Sequence, residues 1–334
     1  MSRWRAPAEE APHARTWMCW PSTPSIYGGE GRYYDDVQET IARLAAAIAE
    51  HEPVSMLAEE ELHPDIAELC GPQVDLVDVR TDDMWARDSG PVFVQSDAGA
   101  KAAVDLNFNA WGNYQTHDWD KHVAEEIAAA AGAENIVASI VGEGGGIEYD
   151  GVGTLMLTDS CWVNDNRNPG VSREAIEAEL AARLGIDKTI WLPGVAGEEE
   201  TDGHIDGAIR FIRPGVILMS GYPGDDTVWG EVYEESKAIL SKSTDARDRP
   251  FEIVELPWAK APRSNHRRMF TSYANFYVGN GALFSPEFGD ATADARARDV
   301  FQRLYPERKI VMLNVDRIYE NGGGIHCVTQ QEPA

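Results

Sequence analysis

Apolar and polar positions follow two rhythms along this chain. Five segments, near 35–50, 118–131, 172–185, 229–243 and 292–305, are rich in Ala, Glu, Leu and Arg and have helical character. Ser172 is a good helix cap, although Ala175 stands where a capping box would place a Glu, so half of that motif is present. Between these segments lie β-rich stretches, among them P-V-F-V-Q-S-D-A-G-A-K-A-A-V-D-L-N-F, I-E-Y-D-G-V-G-T-L-M-L-T, G-A-I-R-F-I-R-P-G-V-I-L-M-S and S-Y-A-N-F-Y-V-G-N-G-A-L-F-S. Each is two short apolar runs around a Gly, Pro, Asn or Asp turn, the pattern of a hairpin.

The order hairpin, helix, strand recurs about five times at a spacing of roughly 50–80 residues, with little side-chain identity between the units. Units that each expose one apolar face can close radially, as propellers do, leaving only short protected edges. A doubly wound sheet is the rival, but it usually carries longer apolar strands and fewer hairpins. No linker or low-complexity tract divides the chain, so the expectation is α/β: one closed domain over 1–334, a five-bladed α/β propeller of repeated ββαβ units around a central site.

Composition narrows the function. Hydrophobic residues make up 43% of the chain, enough for a sizeable core. The formal net charge is -27, from 56 acidic and 29 basic residues, which argues against nucleic-acid and anionic membrane partners. The same excess would concentrate a cation near an acidic cleft, although it serves equally as a solubility surface. No apolar run approaches the roughly 18 residues of a membrane span, and the N-terminal residues lack the apolar core of a signal peptide. A reducing cytoplasm is the expected location. Cys19, Cys70, Cys161 and Cys327 are too scattered for a disulfide scaffold or zinc knuckle.

G-x-S-x-G, G-x-x-x-x-G-K-[ST], H-E-x-x-H and G-x-G-x-x-G are all missing, against the enzyme classes they mark. Four polar clusters lie instead at hairpin starts or ends. D-D-M-W-A-R-D-S-G-P holds Asp83, Trp85, Arg87 and Asp88, with Asp88 directly before a strand; a turn-forming or Arg-paired carboxylate is the plain alternative. G-E-G-G-G-I-E places Glu143 ahead of three glycines, which let a ligand or backbone come close. T-D-G-H-I-D-G spaces His204 and Asp206 by two, so a strand would show both on one face, an imidazole beside a carboxylate. A metal is the competing use of that pair, but no further His cluster supplies ligands. N-G-G-G-I-H-C-V-T-Q-Q opens Cys327 to solvent at a strand tip, whereas Cys70 and Cys161 read as small buried hydrophobes. His326, its neighbour, is expected to point to the opposite face.

One thiol, one imidazole and three carboxylates make a poor ordinary acyl-transfer site, because carboxylates raise a thiol's pKa. They suit a substrate that is itself a cation, above all a planar guanidinium. The motifs then carry a resemblance along nearly the whole chain: R-T-W-M-C-W-P, W-A-R-D-S-G-P, L-N-F-N-A-W-G, E-G-G-G-I, N-D-N-R-N-P, G-H-I-D and G-I-H-C-V-T-Q-Q, in that order. The chain resembles the agmatine deiminase family, which includes the bacterial-type peptidylarginine deiminases.

The resemblance implies the pentein-type five-bladed fold and a cofactor-free, metal-free hydrolysis of agmatine to N-carbamoylputrescine and ammonia, a step toward putrescine. It implies Cys327 as nucleophile, Asp88 and Asp206 as holders of the guanidinium, His204 as acid and then base, and Glu143 as its orienting partner. Peptidyl arginine or another ω-guanidino compound is the alternative substrate, and amidino transfer the alternative reaction. Asp202 is a charge where the family commonly has an amide, and Gly324 stands where it often has asparagine. Trp85, Asp83, the run 198–200, Asp202 and Gly324 are the candidate contacts for the substrate beyond its guanidinium. A homo-oligomer is the commoner state for soluble enzymes of this kind.

Overall fold

A computed structural model of the chain describes residues 3–222 and 228–334. Met1 and Ser2, part of the N-terminal run read for a signal peptide, lie outside the described residues.

All four hairpins read from the sequence form, and each leads into a helix and a returning strand. Val92–Ser96 pairs antiparallel with Lys101–Asp105; the chain then passes through the helix Val123–Ala130 to Glu134–Val137, which lies parallel to the second strand. The same path runs through Ile147–Tyr149, Thr154–Thr158, the helix Arg173–Leu184 and Lys188–Leu192. It recurs in Ile209–Arg213, Val216–Ser220, the helix Val228–Leu240 and Glu252–Leu256. It recurs again in Tyr277–Gly279, Ala282–Pro286, the helix Ala291–Leu304 and Lys309–Leu313.

The fifth unit joins the two ends of the chain. Gln330–Pro333 pairs antiparallel with His13–Cys19, which the helix Arg32–Ala49 connects to the parallel strand Val54–Ala58. No hairpin in the sequence announces this unit, because its first strand lies at the opposite end of the chain from its second. The helix His63–Cys70 and the strand Val74–Asp78 extend its sheet, and Trp4–Arg5 adds an edge to the first hairpin. Among the described residues this makes five small sheets, of four, three, three, three and four strands.

Helix spacing explains the packing. In Arg32–Ala49 the buried residues Val37, Ile41, Leu44, Ala45 and Ile48 recur every three or four positions on one face. In Arg173–Leu184 they are Ile176, Leu180 and Leu184, and the Ser172 side chain accepts from the Ala175 amide at 3.3 Å, as its sequence position predicts. Asp290 caps Ala291–Leu304 in the same way, and Phe301 from that helix meets Phe276 edge-on at 5.0 Å. The helix His63–Cys70 was not anticipated; two turns beginning at His63-Pro64 are too short to show a period. Among the described residues no helix is long and apolar enough to cross a membrane.

The terminal pairing carries a test. Gln330–Pro333 is wholly buried, and Glu332 accepts from the Trp17 indole at 2.9 Å. A chain lacking residues 330–334 leaves the edge of the His13–Cys19 strand unpaired and an indole donor unsatisfied. It is expected to lose its cooperative melting transition by circular dichroism, whereas a Cys327→Ala chain keeps it.

Candidate active site

Each unit delivers a polar residue from the segment just ahead of its first strand. Asp88 lies in the helical turn Ala86–Ser89, ahead of Val92. Glu143 precedes the turn Gly144–Gly146, ahead of Ile147. His204 and Asp206 flank Ile205 at the turn Ile205–Gly207, ahead of Ile209. Asn275 stands two residues before Tyr277, and Cys327 three before Gln330. Two expectations change. His204 and Asp206 converge through a turn and not along a strand face, and Cys327 sits in a turn before its strand.

The thiol is buried, with its Sγ 3.6 Å from Asp206 Oδ2 and 3.2 Å from Asn275 Nδ2. Asn275 Oδ1 accepts from the amides of His326 at 3.0 Å and Cys327 at 3.3 Å, so one side chain fixes the whole turn. Asp88 accepts from the Gly145 amide at 3.0 Å and the Trp111 indole at 2.9 Å, and its Oδ2 is 3.7 Å from His204 Nδ1. The other imidazole nitrogen, Nε2, is 3.2 Å from Glu143 Oε2. Arg167 donates from Nε to Glu143 at 2.8 Å and from Nη1 to Asp202 at 2.7 Å.

These contacts set the charge of each group. Burial pushes the Cys327 thiol well above its ordinary value, and Asp206 and Asp88 push it further. Burial lifts Asp88 to about 6; His204 opposes the rise, while Asp206 and Glu143 add to it. Burial opposes charge on His204, but Asp88, Cys161 and Glu143 outweigh it and hold the imidazole well above its usual range. Glu143 and Asp206 are also penalised by burial, yet both end below the ordinary carboxylate value. His204 and Arg167 hold down the first, His326 the second. The free site therefore presents a neutral thiol, an imidazolium and carboxylates, a setting that a bound planar cation would complete.

Cys327, Asp88, His204 and Asp206 line one cavity of about 920 Å³. Glu143 does not line it and stands behind His204. Trp85 and Asp83 do line it, but Asp83 already accepts from the Tyr27 hydroxyl, the Met84 amide at 2.7 Å, the Trp85 indole at 3.0 Å and Gln115 at 2.9 Å. Of the acidic run, Glu199 accepts from the Thr201 amide at 2.8 Å and Glu200 pairs with Arg268 at 2.7 Å, which leaves Glu198 exposed on the cavity wall.

Two candidate contacts are corrected. Asp202 faces Arg167, Asn166 and the Gly197 amide and does not line the cavity, so its charge closes a buried ion pair. Gly324 does not line it either; a Cβ there would come within 2.4 Å of Asn275 Oδ1 and 2.5 Å of the Tyr319 hydroxyl, so its role is the close packing of the Cys327 turn. Cys161 is buried as expected, but its Sγ lies 3.7 Å from Glu143 Oε2. With Glu143 and His204 it forms a group whose ligand atoms lie within 4.8 Å of one another, although Arg167 already neutralises that carboxylate. Sequence reasoning missed Asn275, Trp111, Arg167 and the Gly145 amide. The last three lie inside recognised motifs, and Asn275 holds the same place before a unit's first strand as the other four clusters.

Comparison with known proteins gives a consistent result. A family profile described as Porphyromonas-type peptidyl-arginine deiminase matches residues 5–333. A curated protein of Streptomyces coelicolor is 40% identical over 98% of this chain and 98% of its own length. The agmatine deiminase of Ectopseudomonas mendocina is 36% identical over 98% of this chain and 95% of its own. The solved agmatine deiminase of Enterococcus faecalis superposes with a TM-score of 0.91 at 30% identity, covering 99% of this chain and 96% of that one, so the α/β fold is shared.

Gly145 offers a direct test of the geometry. A Cβ there would lie 2.6 Å from His204 Nδ1, 2.7 Å from Asp88 Oδ1 and 3.2 Å from Asp206 Oδ2. Gly145→Ala is expected to lower turnover of a guanidino substrate about 100-fold, the scale of an ångström's misplacement, with the melting temperature nearly unchanged. Steady-state kinetics beside a thermal melt would check it.

Proposed function

The chain belongs to the Porphyromonas-type peptidyl-arginine deiminase family, and from that premise we propose that it hydrolyses agmatine to N-carbamoylputrescine and ammonia. One observation carries the reading: a buried thiol stands beside Asp206 and near Asp88, with an imidazole held between Asp88 and Glu143. Such a site is electrostatically incomplete until a cation enters it. A guanidinium satisfies both carboxylates with N–H donors, and its charge favours the thiolate over the thiol.

In this reading Asp88 and Asp206 hold the guanidinium nitrogens while the Cys327 thiolate bonds to the central carbon. The His204 imidazolium gives a proton to the departing nitrogen, and ammonia leaves. Neutral His204 then takes a proton from water, whose oxygen bonds to the same carbon as the C–S bond breaks. The carbamoyl product first carries water's second proton on its oxygen and loses it to the solvent, leaving the neutral urea-like compound, with thiolate and imidazolium restored. Dividing the displacement into two steps is the usual gain of a covalent intermediate. Glu143, fixed by Arg167, orients the imidazole through Nε2. The carboxylates supply the electrostatic stabilisation from preset positions.

The five units are the blades of a propeller over residues 1–334, closing radially around this site. The partner is a small guanidino cation, with no nucleic acid or membrane, and the setting is the reducing cytoplasm, where Cys327 stays a thiol.

Incubation with agmatine should yield carbamoylputrescine and ammonia in equal amounts, and Cys327→Ala should abolish both; no product from the wild-type protein would sink the agmatine reading. Because Asp88 must be ionised to hold the cation and its carboxyl is raised to about 6, kcat/KM should fall as pH drops through that value. A bound cation favours the carboxylate, so the acid limb of kcat should lie lower. A pH–rate profile measured at low and at saturating agmatine checks both limbs.

A further inference from the structure

Behind the cavity, two groups that the proposed reaction does not use reach toward Asp206. His326 is 2% exposed and lies outside the cavity lining. Its Nδ1 is 2.7 Å from Asp206 Oδ2 and its Nε2 is 2.8 Å from Glu9 Oε2. The adjacency to Cys327 suggested a side chain turned away from the chemistry. The turn at Cys327 aims it instead at the carboxylate beside the thiol.

Glu9 belongs to the N-terminal arm, between the edge strand Trp4–Arg5 and the strand His13–Cys19. Its carboxylate accepts from Arg210 Nη2 at 2.6 Å and from the Val278 amide at 2.8 Å, with Arg87 Nη2 at 3.9 Å. Arg210 is itself anchored, donating to Glu148 at 2.9 Å and to the Phe276 carbonyl at 2.8 Å. The ring is thus held at both nitrogens, one by each carboxylate, and Glu9 is in turn held by Arg210 and the Val278 amide.

We propose that Glu9 and His326 are a positioning pair: Glu9 holds the His326 ring in place, and His326 fixes Asp206 Oδ2, leaving Oδ1 for the substrate. This rests on the deimination reading of the site and adds a role for the N-terminal arm in it. The charged and titratable groups facing His326 are Asp206, Glu9, Arg87, Arg210 through Glu9, and the neighbouring Cys327; Glu148 lies one step beyond. Removing the carboxylate at position 9 frees the far side of the ring, and Asp206 then loses the fixed partner that sets the direction of its free oxygen.

In the whole protein, Glu9→Gln should lower kcat/KM for agmatine at least about tenfold while the melting temperature stays nearly unchanged. Glu9→Asp, which keeps the charge, should recover part of the loss, and His326→Gln, which keeps a donor for Asp206, should lose less than His326→Ala. A readout that needs no turnover is alkylation of Cys327: its preference for cationic chloroacetamidine over neutral chloroacetamide, each rate divided by that on free cysteine, should fall at least about threefold in Glu9→Gln.

Glu9→Gln with kcat/KM within twofold of the wild-type protein, or with an unchanged preference for the cationic reagent, would overturn the pair. A wild-type protein that shows the preference, loses it in Glu9→Gln and does not act on agmatine would separate failure of the substrate reading from failure of the pair.

Discussion

The repulsion between a buried thiol and its carboxylate neighbours organises the rest of this molecule. Cys327 lies 3.6 Å from Asp206, with Asp88 also acting on it, and in that setting the thiolate is unfavourable. The cost arises from burial and like charge together, since both carboxylates are themselves buried. The site is therefore quiet by default. A cation between the carboxylates turns the same residues from inhibitors of ionisation into promoters of it, which couples reactivity to occupancy without any moving part.

Holding several like charges in one buried place needs a rigid frame, and the fold supplies it by repetition. Five units each end a loop just before a first strand, and those loops carry Asp88, Glu143, His204 with Asp206, Asn275 and Cys327. Each carboxylate is then held by fixed donors: Asp88 by the Gly145 amide and Trp111, Glu143 by Arg167, Asp206 by His326. Buried charges without such partners would protonate instead of staying ionised. The fifth unit, closed by Gln330–Pro333 on His13–Cys19, places the Cys327 loop against loops from the middle of the chain.

Much of this was legible before any coordinates. Four hairpins announce themselves by turn residues between apolar runs, and the long helices by composition. The site residues Cys327, His204, Asp206, Asp88 and Glu143 lie in glycine-rich polar runs at strand ends, where the sequence departs from its apolar rhythm. What escaped was whatever depends on long-range contact. The terminal strand pair joins residues more than 300 positions apart, as Gln330 opposite Trp17. Asp202 looked like a free charge because its partner Arg167 is 35 residues away. Asn275 is an ordinary amide in a strand-like run until the Cys327 turn folds onto it, and His326 was assigned a direction from strand alternation that a turn does not obey.

The central claim is that positive charge in the pocket, and not an intrinsically acidic thiol, makes Cys327 reactive. The direct measurement compares Cys327 alkylation by chloroacetamidine, a cationic guanidinium mimic, with alkylation by neutral chloroacetamide of nearly the same shape. Both rates are followed by mass spectrometry at pH 7.5 and divided by the rates on free cysteine. The account predicts a normalised preference for the amidine of about 100-fold or more, abolished by excess agmatine and much reduced in Asp88→Asn. Equal normalised rates, or rapid labelling of Cys327 by the neutral reagent, would contradict it.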